Sequence, residues 1–486
     1  MRQHGPVESR RAFLRRIGQL AVVGAATPLG LNLAAIGEAA AFTASDYRAL
    51  VCVFLYGGND YANTVVHYDQ PRWSAYRAIR QAGQGPTGLA IDRPALEATV
   101  LTPGVPLPGG AQYALHPAMT AMAGLFNGGR AAVMLNVGPL IRPTTKSEFQ
   151  SPDRVRYPLP PHLMSHNDQQ SVWQAQGAEG STVGWGGNLG DIAFESASNR
   201  SSLFTCISAT GNAVFLSGDT AVQYQISRAG AVALRATRDG VWGLRLWQGA
   251  GGLVRELYGQ PRTHVLENEY ARIVRRAMDA EGQVTAALST VDLRTPFPSG
   301  NSLAEELRVV ARMIGARNAL GNRRQVFLVS LGGFDLHDGL VESQPDLLKR
   351  VSDAVAAFYA ATIELGVADK VTLFTASDFG RALTSNGNGT DHGWGGHHFV
   401  VGGAVKGRAY YGSAPPVSIG ETRAADDQWH IGQGRLLPST SVDQYAATLA
   451  RWFGVAEPDL NQILPNLRNF GAAAGRPDYP ADLGFL

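Results

Sequence analysis

Carboxylates and histidines collect in this sequence at a few short places, each just beyond an apolar run. Asn59-Asp60 follows Ala49–Tyr56, and Asp335-Leu336-His337-Asp338 follows Val326–Leu331. Asp378-Phe379-Gly380-Arg381 follows Val371–Ala376, and Asp391-His392 and His397-His398 lie a little further on. A single Asp or His in a loop is ordinarily a cap or a turn residue. Three apolar runs that end in carboxylates, two with histidines nearby, form instead the pattern of one lined site. Carboxylate and imidazole together suit zinc, manganese, magnesium or calcium, depending on their number and geometry. The glycines beside them let backbone segments approach closely.

A second cluster, Met164-Ser165-His166-Asn167-Asp168, follows Pro158, Pro160 and Pro161 and precedes a helix-like stretch. At a helix start, Ser165 serves as an N-cap whose oxygen accepts a backbone N–H. The same position also sets a hydroxyl beside free N–H groups that hold phosphate or sulfate, where a metal or a base makes it a nucleophile. His166 reads as a ligand or as an acid/base group. The types of residue leave these roles open. A Ser-His-Asp hydrolase is disfavoured, because no Gly-x-Ser-x-Gly surrounds Ser165 and its histidine is its immediate neighbour.

The elements that must position these residues are legible as well. Ala49–Tyr56, Ala131–Val137, Val326–Leu331 and Val371–Ala376 are short β-rich apolar runs, as expected of strands buried on both faces. Leu347–Leu365 carries apolar residues at helical spacing between two of them, which predicts a parallel βαβ unit. Helices are also expected over Pro117–Phe126 and Ser441–Phe453, and a strand over His398–Val401. The fold class is therefore α/β, a mostly parallel central sheet flanked by helices, with ligands at the carboxyl ends of strands. Residues 177–298 are less regular and read as an insertion or cap. Cys52 falls in a strand-like run, and either two buried thiols or one long bridge to Cys206 fits the sequence.

Of 486 residues, 42 are basic and 40 acidic, with no basic block beyond the first segment, which disfavours nucleic-acid binding. That first segment reads Ser9-Arg10-Arg11-Ala12-Phe13-Leu14, followed by a weakly apolar stretch and Ala39-Ala40-Ala41. This is the order of a twin-arginine signal peptide over 1–41, with the translocase as partner and a periplasmic or secreted destination. Contact with a membrane is expected only through this leader, and 42–486 is expected to be the mature domain.

On these residues the chain resembles the twin-arginine-exported bacterial family called domain of unknown function 1501, distant kin of alkaline phosphatases and sulfatases. Gly57-Gly58-Asn59-Asp60, Leu115-His116-Pro117, Ser165-His166-Asn167, Gly184-Trp185 and Gly333-Phe334-Asp335-Leu336-His337 carry the resemblance. Ser377-Asp378-Phe379-Gly380-Arg381, Thr390-Asp391-His392-Gly393 and Gly402-Gly403 complete it. It implies an alkaline-phosphatase-like fold with two metal ions held by Asp and His. Asp60 (or Asn59) then stands for the first-strand ligand, Asp335, His337 and His392 for one metal's set, Asp378 for the other's, and Ser165 for the nucleophile. Two departures stand out. Phe379 replaces a histidine beside Asp378, with His397 or Asp391 as substitutes, and Asp335 and His337 are only two residues apart.

Two functions of different kinds follow. One is a divalent-metal-dependent hydrolase of phosphate or sulfate esters, small or polysaccharide, with Arg381 clamping developing charge. The other is a non-catalytic exported binding or assembly protein with a decayed metal site; Trp394, Tyr410, Tyr411 and Trp429 read first as ordinary packing and, as the alternative, as rings that stack on sugars.

Overall fold

Alternate residues of the first apolar run face opposite helical layers, which is why the run is apolar throughout. Strand β1 (Arg48–Leu55) turns Ala49, Val51, Val53 and Leu55 into one buried cluster. Cys52 and Phe54 point the other way, towards Trp173, Trp185, Phe374 and Tyr445. The computed structural model describes residues 46–486 except 82–87, 197, 235–236 and 238–248. The leader expected over 1–41 lies outside these residues.

The other strands are β2 (Val65–His67), β3 (Tyr113–Leu115), β4 (Ala131–Gly138), β5 (Cys206–Ser208), β6 (Tyr224–Ser227) and β7 (Gly230–Ala231). They continue with β8 (Arg324–Leu331), β9 (Val371–Ser377), β10 (Gly396–Gly402), β11 (Tyr410–Tyr411) and β12 (Thr440–Ser441). The principal sheet has ten strands in the order β11-β4-β10-β9-β1-β8-β5-β6-β7, and β12 also pairs with β4. From β9 to β6 all pairs are parallel, whereas β10 runs antiparallel to both β9 and β4. The small strands β2 and β3 pair separately.

Helices α1 (Tyr61–Thr64), α2 (Gln70–Gln81), α3 (Thr120–Asn127), α4 (His166–Ala175) and α5 (Trp185–Glu195) come first. After them come α6 (Val265–Ser289), α7 (Ser302–Gly315), α8 (Leu340–Glu364) and α9 (Val442–Phe453). Met122 of α3, Leu307 and Val310 of α7, and Leu348, Val351 and Val355 of α8 fill one face of the sheet. Residues of α4, α5 and α9 cover the other. A mostly parallel α/β sheet between helices is thus what the strands and helices build.

Helix α8 starts seven residues before the expected Leu347, because Gly339 in a left-handed conformation (φ 60°) releases the chain into it, with Pro345 inside the helix. It joins β8 to β9 across β1, the parallel neighbour of both. The stretch 177–298 does more than cover the sheet: β5, β6 and β7 extend its edge, and α5 and α6 pack on it. Cys52 and Cys206 are both free and buried, and burial pushes both thiols well above their ordinary pKa. Among the described residues no helix is long and apolar enough to cross a membrane.

Helix α9 carries a buried charge problem at its start. Ser441 caps it in a reciprocal box with Gln444, and Asp443 beside them is completely buried. Burial pushes the Asp443 carboxyl up to about 7, against bonds from Asn466 and Ser441 that favour the ionised form. A carboxyl raised above its unfolded value near 3.8 binds its proton more tightly in the folded state. Stability must therefore fall as pH rises through that window, and the loss is complete above it. Asp443→Asn is expected to abolish that slope in urea midpoints compared at about pH 5 and about pH 8. An unchanged slope in the variant would show that another group produces it.

Candidate metal centre

The exits of β1, β8 and β9 and the loop before β10 meet at one end of the sheet, and the start of α4 closes over them. Glycines permit this closeness. Gly380 N donates to Trp394 O at 3.0 Å and Gly393 N to Gly380 O at 2.7 Å. A Cβ at Gly380 would collide with the carbonyl of Gly395. Residues 381 and 392 pair as an isolated antiparallel bridge, which brings Asp378, Arg381 and His392 together.

Within this junction His166, Asp335 and His392 each offer a ligand atom, all within 4.8 Å of one another. His166 Nε2 lies 3.4 Å from Asp335 Oδ2, and His392 Nε2 lies 3.2 Å from Asp335 Oδ1. His337 Nε2 joins them, 3.1 Å from Asp335 Oδ1 and 2.9 Å from His392 Nε2. Two ligands held about 2.0–2.1 Å from one tetrahedral ion sit about 3.3–3.4 Å apart, close to the His166–Asp335 and His392–Asp335 separations, whereas the two contacts of His337 have hydrogen-bond length.

The other ring nitrogens explain why the Nε2 atoms face inward. His166 Nδ1 lies 2.5 Å from Asp378 Oδ2, and His392 Nδ1 lies 2.8 Å from Met164 O. Carboxylate and carbonyl oxygens only accept, so both Nδ1 atoms carry a hydrogen, the arrangement in which a metal takes the Nε2 lone pair of each ring. Asp378 is in turn fixed by Gln170 Nε2 at 2.9 Å and Gly57 N at 3.2 Å. Its other oxygen is buried without a hydrogen-bond partner among the described residues.

The electrostatics divide the two histidines. The hydrogen bond to Asp378 raises the His166 pKa against the opposing effect of burial. Burial lowers that of His392, together with the nearby positive charge. Partial burial works to raise the Asp335 carboxyl, but Arg381, His337 and His392 outweigh it and hold it below the usual range.

Several residues singled out in the sequence stand elsewhere. Asp60 is not part of the cluster. It caps α1 through Asn63 N at 2.9 Å, and both its oxygens take Arg80 Nη2 at 2.9 Å in a fully buried pair. Arg381 is inside the site but not free to clamp an anion. It is fully buried, with Nη1 on Asp335 Oδ1 (2.8 Å) and Gly57 O (3.0 Å), and Nε on Thr390 Oγ1 (3.0 Å). Asn59 turns its amide to Thr64. Ser165 stands at the N-cap of α4, but its hydroxyl donates to Asp168 Oδ2 at 2.9 Å instead of accepting from the helix. His162 Nδ1 meets the other oxygen of Asp168 at 3.0 Å.

His397 is buried on β10, where its Nδ1 accepts from Asn136 N, so it does not replace the histidine missing beside Asp378. Asp391 lies at the rim, 3.6 Å from His337 Nδ1. Trp394 is 1% exposed and packs on Phe149, and Tyr410 packs among Tyr113 and Phe126, so neither offers a face to a sugar. Tyr411 and Trp429 are half-buried. Sequence reasoning missed Gln170 and Arg80. Gln170 lies one helical turn after His166, a spacing that puts both on one face of α4. Nothing in the sequence joins Arg80 to Asp60.

No curated protein matches this chain. Similar solved structures include Ps i-CgsB in complex with k-i-k-neocarrahexaose, 11% identical over 90% of this chain and 78% of that one, with a TM-score of 0.34. Another is the alkaline phosphatase of the Antarctic bacterium TAB5, 10% identical over 76% of this chain and 95% of that one, with a TM-score of 0.27. The model of the family described as protein of unknown function (DUF1501) matches residues 47–463, and the chain belongs to that family.

Proposed function

We propose that this protein is an exported metal-dependent hydrolase of phosphate or sulfate esters. The observation that carries the reading is the convergence of the His166, His392 and Asp335 ligand atoms, with the two rings held from behind by Asp378 and Met164 O. Three protein ligands, one of them the exposed Asp335, are the number that a catalytic ion takes, and His337 stands next to them. When bound, such an ion supplies Lewis acidity towards the ester oxygens and lowers the pKa of a coordinated hydroxyl.

The chain's own groups supply the rest. Ser165 is flanked on both sides by the cluster, since Met164 O holds His392 and His166 offers a ligand atom. Its proton already points at a carboxylate, Asp168 Oδ2, which makes Asp168 the base for Ser165 as nucleophile. Met164 is held at φ 70°, a left-handed turn that a side chain seldom adopts and that functional sites retain. The first N–H groups of α4 have no intrahelical acceptor and favour an anionic group beside Ser165. The Arg10-Arg11 leader supports export in the folded state, with the twin-arginine translocase as partner.

The test is elemental analysis of protein purified from its export compartment, together with hydrolysis of aryl phosphates and sulfates under added zinc, manganese, magnesium or calcium. Bound metal and turnover with at least one ion are expected. Protein without metal that turns over no ester with any ion would rule the reading out. One observation favours a second reading, a non-catalytic binding or assembly protein: Arg381 already neutralises Asp335, so the cluster coheres without an ion. Metal-free protein that binds a glycan or partner without turnover would select it.

A further inference from the structure

Resting on that reading of the cluster as a metal centre, we infer that Arg381, backed by Arg80, is a built-in second cation, so that the site takes a single divalent ion per chain. The argument begins with burial. Arg80 and Arg381 are both 0% exposed. A buried guanidinium must be matched by a carboxylate at contact distance, and each is. Arg80 stands on Asp60 and Arg381 on Asp335.

The two pairs form one continuous chain. Thr390 Oγ1 donates to Asp60 Oδ2 at 3.2 Å and accepts from Arg381 Nε at 3.0 Å. The line therefore runs from Arg80 through Asp60, Thr390 and Arg381 to Asp335, where it reaches the histidines. Two acidic residues whose positions after strands suit metal ligation are thereby already neutralised, one completely and one through the oxygen Oδ1.

Charge balance points the same way. In the junction, three carboxylates (Asp60, Asp335 and Asp378) face two guanidiniums, leaving one negative charge. One divalent ion reverses that to a single positive charge, which an anionic ester then offsets. A second divalent ion would add two further positive charges close to a guanidinium that cannot lose its proton and is itself fully buried.

Nor do the histidines of β10 or the pair at the rim provide for it, and the oxygen of Asp378 without a hydrogen-bond partner among the described residues is a single donor. His397 and His398 are buried on β10 and engaged with Asn136 N and Thr375. Asp391 and His337 face each other at the rim, but Arg435 approaches Asp391 to 4.0 Å and donates from Nε to His392 O at 2.6 Å. A third guanidinium thus stands where a rim ion would need room.

The experiment is calorimetric titration of chelator-stripped full-length mature protein with Zn2+ and with Mn2+, read with elemental analysis and Mn2+ electron paramagnetic resonance. The wild type is expected to saturate at one ion and to give the signal of an isolated Mn2+. Saturation at two, or a spin-coupled pair, would overturn this inference while leaving the metal centre intact. No binding of either ion would overturn both. Arg381→Met removes the built-in cation and is expected to admit a second, weaker ion, with folding checked by circular dichroism. A folded variant that still stops at one would count against Arg381 as the excluding charge. If that variant does not fold, the resonance signal of the wild type decides between one ion and a pair.

Discussion

Ser165→Ala is expected to lower ester turnover by roughly a thousandfold or more while leaving the metal content unchanged. The two readouts separate because Ser165 touches the cluster only through its neighbours. Its hydroxyl bonds to Asp168 at 2.9 Å, whereas the ligand atoms belong to His166, Asp335 and His392. His166→Ala is the contrast, because it removes a ligand atom, so bound metal and turnover should fall together. Steady-state hydrolysis of an aryl ester and elemental analysis of each variant make the comparison. If Ser165→Ala turned over ester at the wild-type rate, water would replace the serine as nucleophile, with the metal reading untouched.

Arg80→Met is expected to destabilise the fold by about 3–5 kcal/mol, the cost of leaving a buried carboxylate without its partner. Asp60 is 2% exposed and sits at the foot of the site, with Thr390 Oγ1 and Asn63 N as its other donors. Neither neutralises its charge. The double variant Asp60→Asn/Arg80→Met should recover part of the loss, because the uncompensated charge goes with the carboxylate. Urea unfolding monitored by fluorescence gives both values. A loss below about 1 kcal/mol for Arg80→Met would mean that the pair is screened as a surface pair is.

The parts of this fold that the sequence discloses are those where one physical requirement dominates. The runs that become β1, β4, β8 and β9 are apolar throughout because both faces are buried, and their shortness separates them from buried helices. The short strands β5, β6 and β7 are two to four residues long, too short for a period to show. The antiparallel direction of β10 is a property of the path around it. In the site, carboxylates and histidines at strand exits stand out because loops seldom gather both. What they do there is less legible, since it depends on partners remote in the chain. Asp60 meets Arg80, Arg381 turns inward to Asp335, and His392 is oriented by a backbone carbonyl that has no side-chain signature.

The register of the sheet sets a timetable for the growing chain. Among the described strands β1 comes first in the sequence and lies within the parallel part of the sheet, yet its hydrogen-bonding partners begin at Arg324 and Val371. At about 5–20 residues per second, tens of seconds pass between the synthesis of β1 and that of β8. Throughout that interval an apolar strand with two unpaired edges is available to any other extended chain, the condition under which nascent proteins aggregate. The yield of folded protein is therefore expected to rise with chaperone supply, which co-expression would check.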